Sequence, residues 1–129
     1  MKVLIIDDTK TKTETIVNYL NKLNITDVTT RNCRNDGLRG LMEQAKTGRE
    51  YDLLILDMMF PIVRNSRIIP DAGIRVLEEI ERRKWKIPVI MCSSEKIDDL
   101  SQYKNIIGNI IYNSSVYLLP EFKKLIFGE

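Results

Sequence analysis

Residues 53–61 read LLILDMMFP. Four aliphatic residues run straight into one acid, Asp57, and then into two methionines, a phenylalanine and a proline. An apolar run this short and this complete reads as a strand covered on both faces, the kind found in parallel sheets. Two more runs have the same character: KVLII at 2–6, followed by Asp7 and Asp8, and PVIMCS at 88–93. GNIIY at 108–112 is a shorter one, and DVTTR at 27–31 is a weaker, β-branched strand.

Between these runs the apolar period changes from strand to helix. Ile16, Val17, Leu20 and Leu23 fall at helical spacing within 11–23. Asn35 or Asp36 reads as the cap of a second helix carrying Leu38, Leu41, Met42 and Ala45, with Gly48 just past its end. Asp71 reads as the cap of a third, with Ile74, Leu77 and Ile80 on one face. A short fourth helix is expected over 96–103, and a fifth over SSVYLLPEFKKLIFGE, with Pro120 tolerated only near its first turn. Five strand–helix units in 129 residues predict one α/β domain over 1–129. The sheet is expected to be five-stranded, parallel and doubly wound, in the order 2-1-3-4-5, with five helices.

Composition removes several classes of function. The chain has no histidine, which excludes a Ser-His-Asp triad, a Cys-His pair and any imidazole metal site. Two cysteines are too few for a disulfide framework or a zinc site. Cys92, inside PVIMC, reads as a small core residue, and Cys33 reads as exposed and without a role. A net charge of +2 gives no reason to expect a nucleic-acid or membrane surface. Asp7 and Asp8 interrupt the first apolar run, so it is not a signal peptide, and the protein is expected to be cytoplasmic.

The acids are the informative feature. In an open parallel sheet, ligands bind outside the carboxyl ends of the strands, where the strand order reverses. With strands one and three adjacent, Asp7, Asp8 and Asp57 converge there. Like charges that close raise one another's pKa, and a hard cation relieves them. Three carboxylates with backbone carbonyls and waters suit Mg2+.

These residues together resemble the receiver domain of bacterial two-component signalling, the response regulators. The resemblance rests on KVLIIDD, LLILDMMFP, DAGIRVLEEI at 71–80 and PVIMCSS, in order and over essentially the whole chain. It implies a flavodoxin-like fold, Asp57 as phosphoryl acceptor, and Mg2+ held by Asp8 directly, by Asp7 through water, and by the backbone carbonyl of Met59. It implies Ser93 as the hydroxyl that binds the phosphoryl group, beside a small Ser94 that also reads as a helix cap. It implies a histidine kinase or phosphotransfer protein as donor, and a downstream target protein on residues 96–129, where Tyr103, Tyr117 and Phe122 lie. Such a protein is a phosphoacceptor that catalyses only its own phosphorylation and dephosphorylation, not an enzyme acting on other substrates. With an apolar Met59 and an acidic Glu95 beside the site, self-dephosphorylation is expected to be slow.

Two features depart from the family. Its fifth strand ends in a lysine that bonds the phosphoryl oxygens, followed by proline; Tyr112 and Asn113 stand there instead. A tyrosine brings no positive charge, and one charge-assisted hydrogen bond is worth about 1.5–3 kcal/mol. Lys10, Lys12 and Lys96 lie near enough in sequence to offer a cation from a loop, although each reads as an ordinary solvated lysine. Asn109 replaces the aromatic residue that often swings inward on activation. The second departure is PIVRNSRIIPD at 61–71, longer than the family's turn. It reads equally as a lid bringing Arg64 or Arg67 to the acceptor and as a tolerated surface insertion. The alternative function is a pseudo-receiver that binds its partner without phosphate. A haloacid dehalogenase-like phosphatase fits less well, because Asp7 and Asp8 are adjacent where that family spaces its two acids by one residue.

Overall fold

The computed structural model describes residues 1–97 and 99–128. In chain order the elements are β1 (Lys2–Ile6), α1 (Lys10–Lys22), β2 (Asp27–Arg31), α2 (Arg34–Thr47), β3 (Leu53–Leu56), β4 (Phe60–Pro61), β5 (Ile68–Ile69), α3 (Ala72–Arg82), β6 (Val89–Ser93), β7 (Ile106–Ile111) and α4 (Leu119–Phe127). The main sheet runs β2-β1-β3-β6-β7, with every pairing parallel. With the short β4–β5 hairpin set aside, this is the expected order 2-1-3-4-5.

Strand periodicity divides the core into two layers. Leu4, Ile6, Leu54, Leu56, Val89 and Met91 face one side and pack on Leu41 of α2 and on Val76, Leu77 and Ile80 of α3. Val3, Ile5, Leu53, Ile55, Ile90 and Cys92 face the other and pack on Ile16, Tyr19 and Leu20 of α1 and on Phe122 of α4. Both faces are therefore apolar, which is why these strands show no polar alternation. Tyr19 also ties α1 to the C-terminal segment. Its hydroxyl accepts the Leu118 N–H at 3.2 Å, and its ring lies 5.6 Å from that of Tyr117.

Four helices are present among the described residues, not five. Of the stretch 96–103 expected to be helical, Asp98 lies outside the described residues and the rest is irregular or turn. Asp99 has a φ of 40°, and its carboxylate accepts the Ser101 hydroxyl at 2.6 Å and the Ser101 N–H at 3.3 Å. Such a local side-chain turn competes directly with helical hydrogen bonding. Ile97, Leu100 and Tyr103 still pack on the core, so the segment covers the sheet without being a helix.

Other local expectations shift for similar reasons. The helix expected from Asn35 or Asp36 begins at Arg34, with Cys33 in the cap position and Asp36 in its first turn. Cys33 is buried, not exposed. Asp71 stands at the start of α3 but makes no side-chain cap; its carboxylate accepts from Arg75 Nε at 3.2 Å. The final helix begins only at Leu119, with Pro120 in its first turn. The 61–71 stretch is an ordered hairpin. Phe60 anchors it in the core, Asn65 turns it with a φ of 62°, and the Ile62 carbonyl accepts the Asn35 N–H at 3.0 Å.

The start of α3 sits directly under the third strand end. Gly73 donates its N–H to the Met58 carbonyl at 2.8 Å. A Cβ on Gly73 would run into the Asp57 carbonyl oxygen and lie 3.0 Å from Met58 Cα. Those are backbone atoms, which cannot rotate away. Gly73→Ala is therefore expected to lower unfolding stability by about 1–3 kcal/mol, the usual cost of overpacking, read as a lower urea midpoint with an unchanged m-value. An unchanged midpoint would show that α3 can retreat freely.

Candidate functional site

Sheet hydrogen bonding extends one residue beyond the strands and fixes the acids. The Asp7 N–H reaches the Arg31 carbonyl at 3.0 Å, and the Asp57 N–H reaches the Ile6 carbonyl at 3.1 Å. Asp7, Asp8 and Asp57 each offer a carboxylate oxygen, all within 4.8 Å of one another. The convergence expected from the strand ends is present.

A fourth group lies among them. Lys12 Nζ is 2.7 Å from Asp7 Oδ2 and 3.1 Å from Asp57 Oδ1, and it donates to the Cys92 carbonyl at 2.7 Å. Its side chain is only 7% exposed. The expectation of a solvated lysine is thus wrong for Lys12. It lies in the first turn of α1, on the stripe that buries Ile16 and Tyr19. Helical side chains lean toward the helix N-terminus, which here carries the long Lys12 stem up to the strand ends. The spacing 12, 16, 19 was the available signal, because it puts Lys12 on the core-facing stripe. Tyr112 completes the surround, with its ring centroid 5.6 Å from Lys12 Nζ, a cation–π distance.

The electrostatics follow from this packing. Burial disfavours the Lys12 ammonium, but the charges of Asp7 and Asp57 outweigh it and hold its pKa above the usual lysine value. Burial, and then the neighbouring Asp7, push Asp57 above the usual carboxylate range, an effect that Lys12 only partly offsets. Asp8 is raised by the same two causes in the same order. Asp7 has a partner on each oxygen, since Oδ1 accepts the Thr9 N–H at 2.9 Å while Oδ2 holds Lys12.

Above the acids opens a cavity of about 340 Å³ lined by Asp8, Asp57, Met58, Met59, Ile68 and Ser93, among others. Ser93 is buried, and its Oγ accepts the Glu95 N–H at 3.4 Å. Ser94 is an exposed wall residue of this cavity and caps no helix. Glu95 and Lys96 are exposed on the same wall. Lys10 and Arg64 line a separate groove on the α1 side of Asp7 and Asp8. Arg67 is exposed on the hairpin turn. The hairpin therefore contributes Ile68 to the acceptor cavity, not an arginine.

The receiver-domain family model of response regulators matches residues 3–107. The chain belongs to the response regulator receiver domain family. It is a receiver domain of the two-component type. No curated protein matches the sequence significantly. Among solved structures, the CheX–CheY–BeF3–Mg complex from Borrelia burgdorferi aligns with a TM-score of 0.75 at 16% identity, covering 99% of this chain and 87% of that one. The phosphorylated cyanobacterial phytochrome response regulator RcpA aligns at 0.74 and 18% identity, over 99% and 95%. The response regulator TrrA from Thermotoga maritima, solved with Mg-BeF, aligns at 0.69 and 23% identity, over 97% and 99%. At these identities the likeness is one of fold. No helix among the described residues of this receiver domain is long and apolar enough to cross a membrane.

Both cysteines of the receiver domain are buried. Burial pushes the Cys92 thiol up to about 12. Reactivity requires the thiolate and access to it. In native protein at pH 8, neither thiol is expected to react with an aromatic disulfide reagent, whereas both should react after unfolding in urea. A fast-reacting native thiol would contradict the burial of the residue concerned.

Proposed function

We propose that this receiver domain is a phosphoacceptor whose nucleophile is Asp57. The observation that carries the reading is the convergence of Asp7, Asp8 and Asp57 beneath an open cavity that Ser93 also lines. In the proposed step an Asp57 carboxylate oxygen attacks phosphorus, and the P–N bond to a donor imidazole breaks. Its electron pair leaves on nitrogen, which is then protonated from solvent. The product is an acyl phosphate on Asp57. The donor is a histidine kinase or phosphotransfer protein, and the wide groove beside Asp8 leaves the face open to an approaching partner.

The all-oxygen donor set fits a hard cation, and Mg2+ is the natural choice. Asp8, Asp57 and the Met59 carbonyl would hold it, with Asp7 acting through water. When bound, it would neutralise the phosphoryl oxygens and so lower the barrier to attack. The protein's own contribution is positional. Asp57 is fixed by its backbone bond to β1, and the Ser93 hydroxyl stands at the neighbouring strand end. Output would pass to a downstream protein through 96–129, of which Asp98 and Glu129 lie outside the described residues. Tyr117 is exposed there, as are Ile107 and Ile111 on β7. Met59, exposed on the cavity wall, has no polar group to orient an attacking water, and Glu95 on the same wall carries the wrong charge to attract a phosphoryl group, so the acyl phosphate should be long-lived. The protein would then have no activity toward other substrates.

The pseudo-receiver reading draws on one observation, that Asp7 and Asp57 already share a counter-ion in Lys12. The two readings separate cleanly. With acetyl phosphate and Mg2+, the intact protein is expected to gain one phosphoryl group by mass spectrometry. Asp57→Asn should gain none, and omission of Mg2+ should abolish the gain. Equal labelling of Asp57→Asn, or no labelling of folded wild type, would remove the acceptor role.

A further inference from the structure

We infer that Lys12, on helix α1, is the residue that compensates the charge of the phosphorylated acceptor. This rests on the acceptor reading of Asp57 and deepens it by naming the cation. The sequence places no lysine at the end of β7, where Tyr112 stands instead. The structure nonetheless brings an ammonium to the acceptor carboxylate, 3.1 Å from Asp57 Oδ1, and it comes from the first turn of α1.

Four observations make Lys12 more than a surface counter-ion. It is buried, and its ammonium has three oxygen partners at the ends of three strands: Asp7, Asp57 and the Cys92 carbonyl. An ammonium offers three donors, so the set is complete and its direction is fixed. Tyr112 presents its ring to that ammonium at 5.6 Å, so the aromatic at the end of β7 and the lysine on α1 occupy one another's surroundings. Lysine at 112 would set two ammonium groups side by side; tyrosine offers a ring that favours the one present. Finally, Asp7 is held by the Thr9 N–H on its far oxygen, which makes it a fixed anchor for Lys12.

Phosphorylation moves the charge of Asp57 onto the phosphoryl oxygens and adds to it, beside an ammonium that already touches the acceptor carboxyl. A buried charge is screened far less than an exposed one, so Lys12 can compensate that dianion strongly. Lys96, the lysine that lines the cavity, is exposed on its wall and would have to be ordered first, whereas Lys12 sits beneath the cavity floor against Asp57. Lys12 is already in place.

The same ammonium opposes cation binding while favouring phosphoryl binding, and this opposition gives the test. Mg2+ and beryllofluoride affinities are measured by amide NMR titration for wild type, Lys12→Met, Lys96→Met and the double variant Lys12→Met/Tyr112→Lys. Lys12→Met is expected to bind Mg2+ alone at least as tightly as wild type, because a positive charge has been removed. Its affinity for beryllofluoride in saturating Mg2+ should fall tenfold or more. The double variant should recover most of that loss, and Lys96→Met should stay within about twofold of wild type, as expected for an exposed charge. A purely structural role for Lys12 would lower both affinities together and would not be rescued from position 112. That result, undiminished beryllofluoride binding by Lys12→Met, or a loss confined to Lys96→Met would overturn the assignment. If wild type itself ignores beryllofluoride in Mg2+, the acceptor reading fails and takes this one with it. Should Lys12→Met not fold, the ζ-nitrogen signal of the buried lysine in labelled wild type decides. It should shift when beryllofluoride is added to the Mg2+-loaded protein, and an unmoved signal would refute the proposal.

Discussion

Three carboxylates held within 4.8 Å of one another, on strand ends that cannot move apart, form the constraint around which this molecule is built. In a half-buried site their mutual repulsion drives protonation unless positive charge is supplied. The chain supplies it with Lys12, an ammonium removed from water and surrounded by Asp7, Asp57 and a backbone carbonyl. Breaking such a pair would strand a buried charge, which is among the more costly single changes a fold can suffer. Helix α1 begins at Lys10, shortly after β1 ends at Ile6, and in the register that points residue 12 inward.

That register connects parts of the fold that are distant in the chain. The buried stripe of α1 carries Lys12 at one end and Tyr19 at the other. Tyr19 accepts the Leu118 N–H and touches Tyr117 and Phe122, so the helix that feeds the acid cluster also seats the C-terminal segment. On the other face, Gly73 lets α3 lie against the Asp57 backbone, so the acceptor is clamped from below by α3 and from the side by the sheet. The rigid frame and the open cavity are consequences of the same packing.

The surface beyond the cavity is less regular. After Ser93, Ile97, Leu100 and Tyr103 pack on the core with no helix among the described residues of that segment, and β7 leaves Ile107 and Ile111 exposed at the sheet edge. The β4–β5 hairpin projects Val63 and Ile68 into solvent while Phe60 holds its base in the core.

Much of this was legible in the sequence. Short apolar runs fix strands locally, because burial on both faces leaves no room for polar alternation, and the acids at their ends then mark the ligand face. KVLIIDD, LLILDMMFP and PVIMCSS accordingly gave the sheet order and the acid cluster. That the described residues of 96–103 form no helix was not legible, because the Asp99–Ser101 turn wins by local side-chain bonds that hydrophobic spacing does not report. Nor was the burial of Cys33 or the pairing within the 61–71 hairpin. Lys12 is the sharpest case. Its helical position was visible, but whether a lysine is solvated or buried depends on which groups surround its ammonium. Here those groups are Asp57 and the Cys92 carbonyl, 45 and 80 residues away in the chain. Sequence by itself determined the strands of the main sheet and where their acids fall, since those follow from local periodicity. Only the tertiary structure decided which cation answers those acids, since electrostatic partnership is set by distance in space.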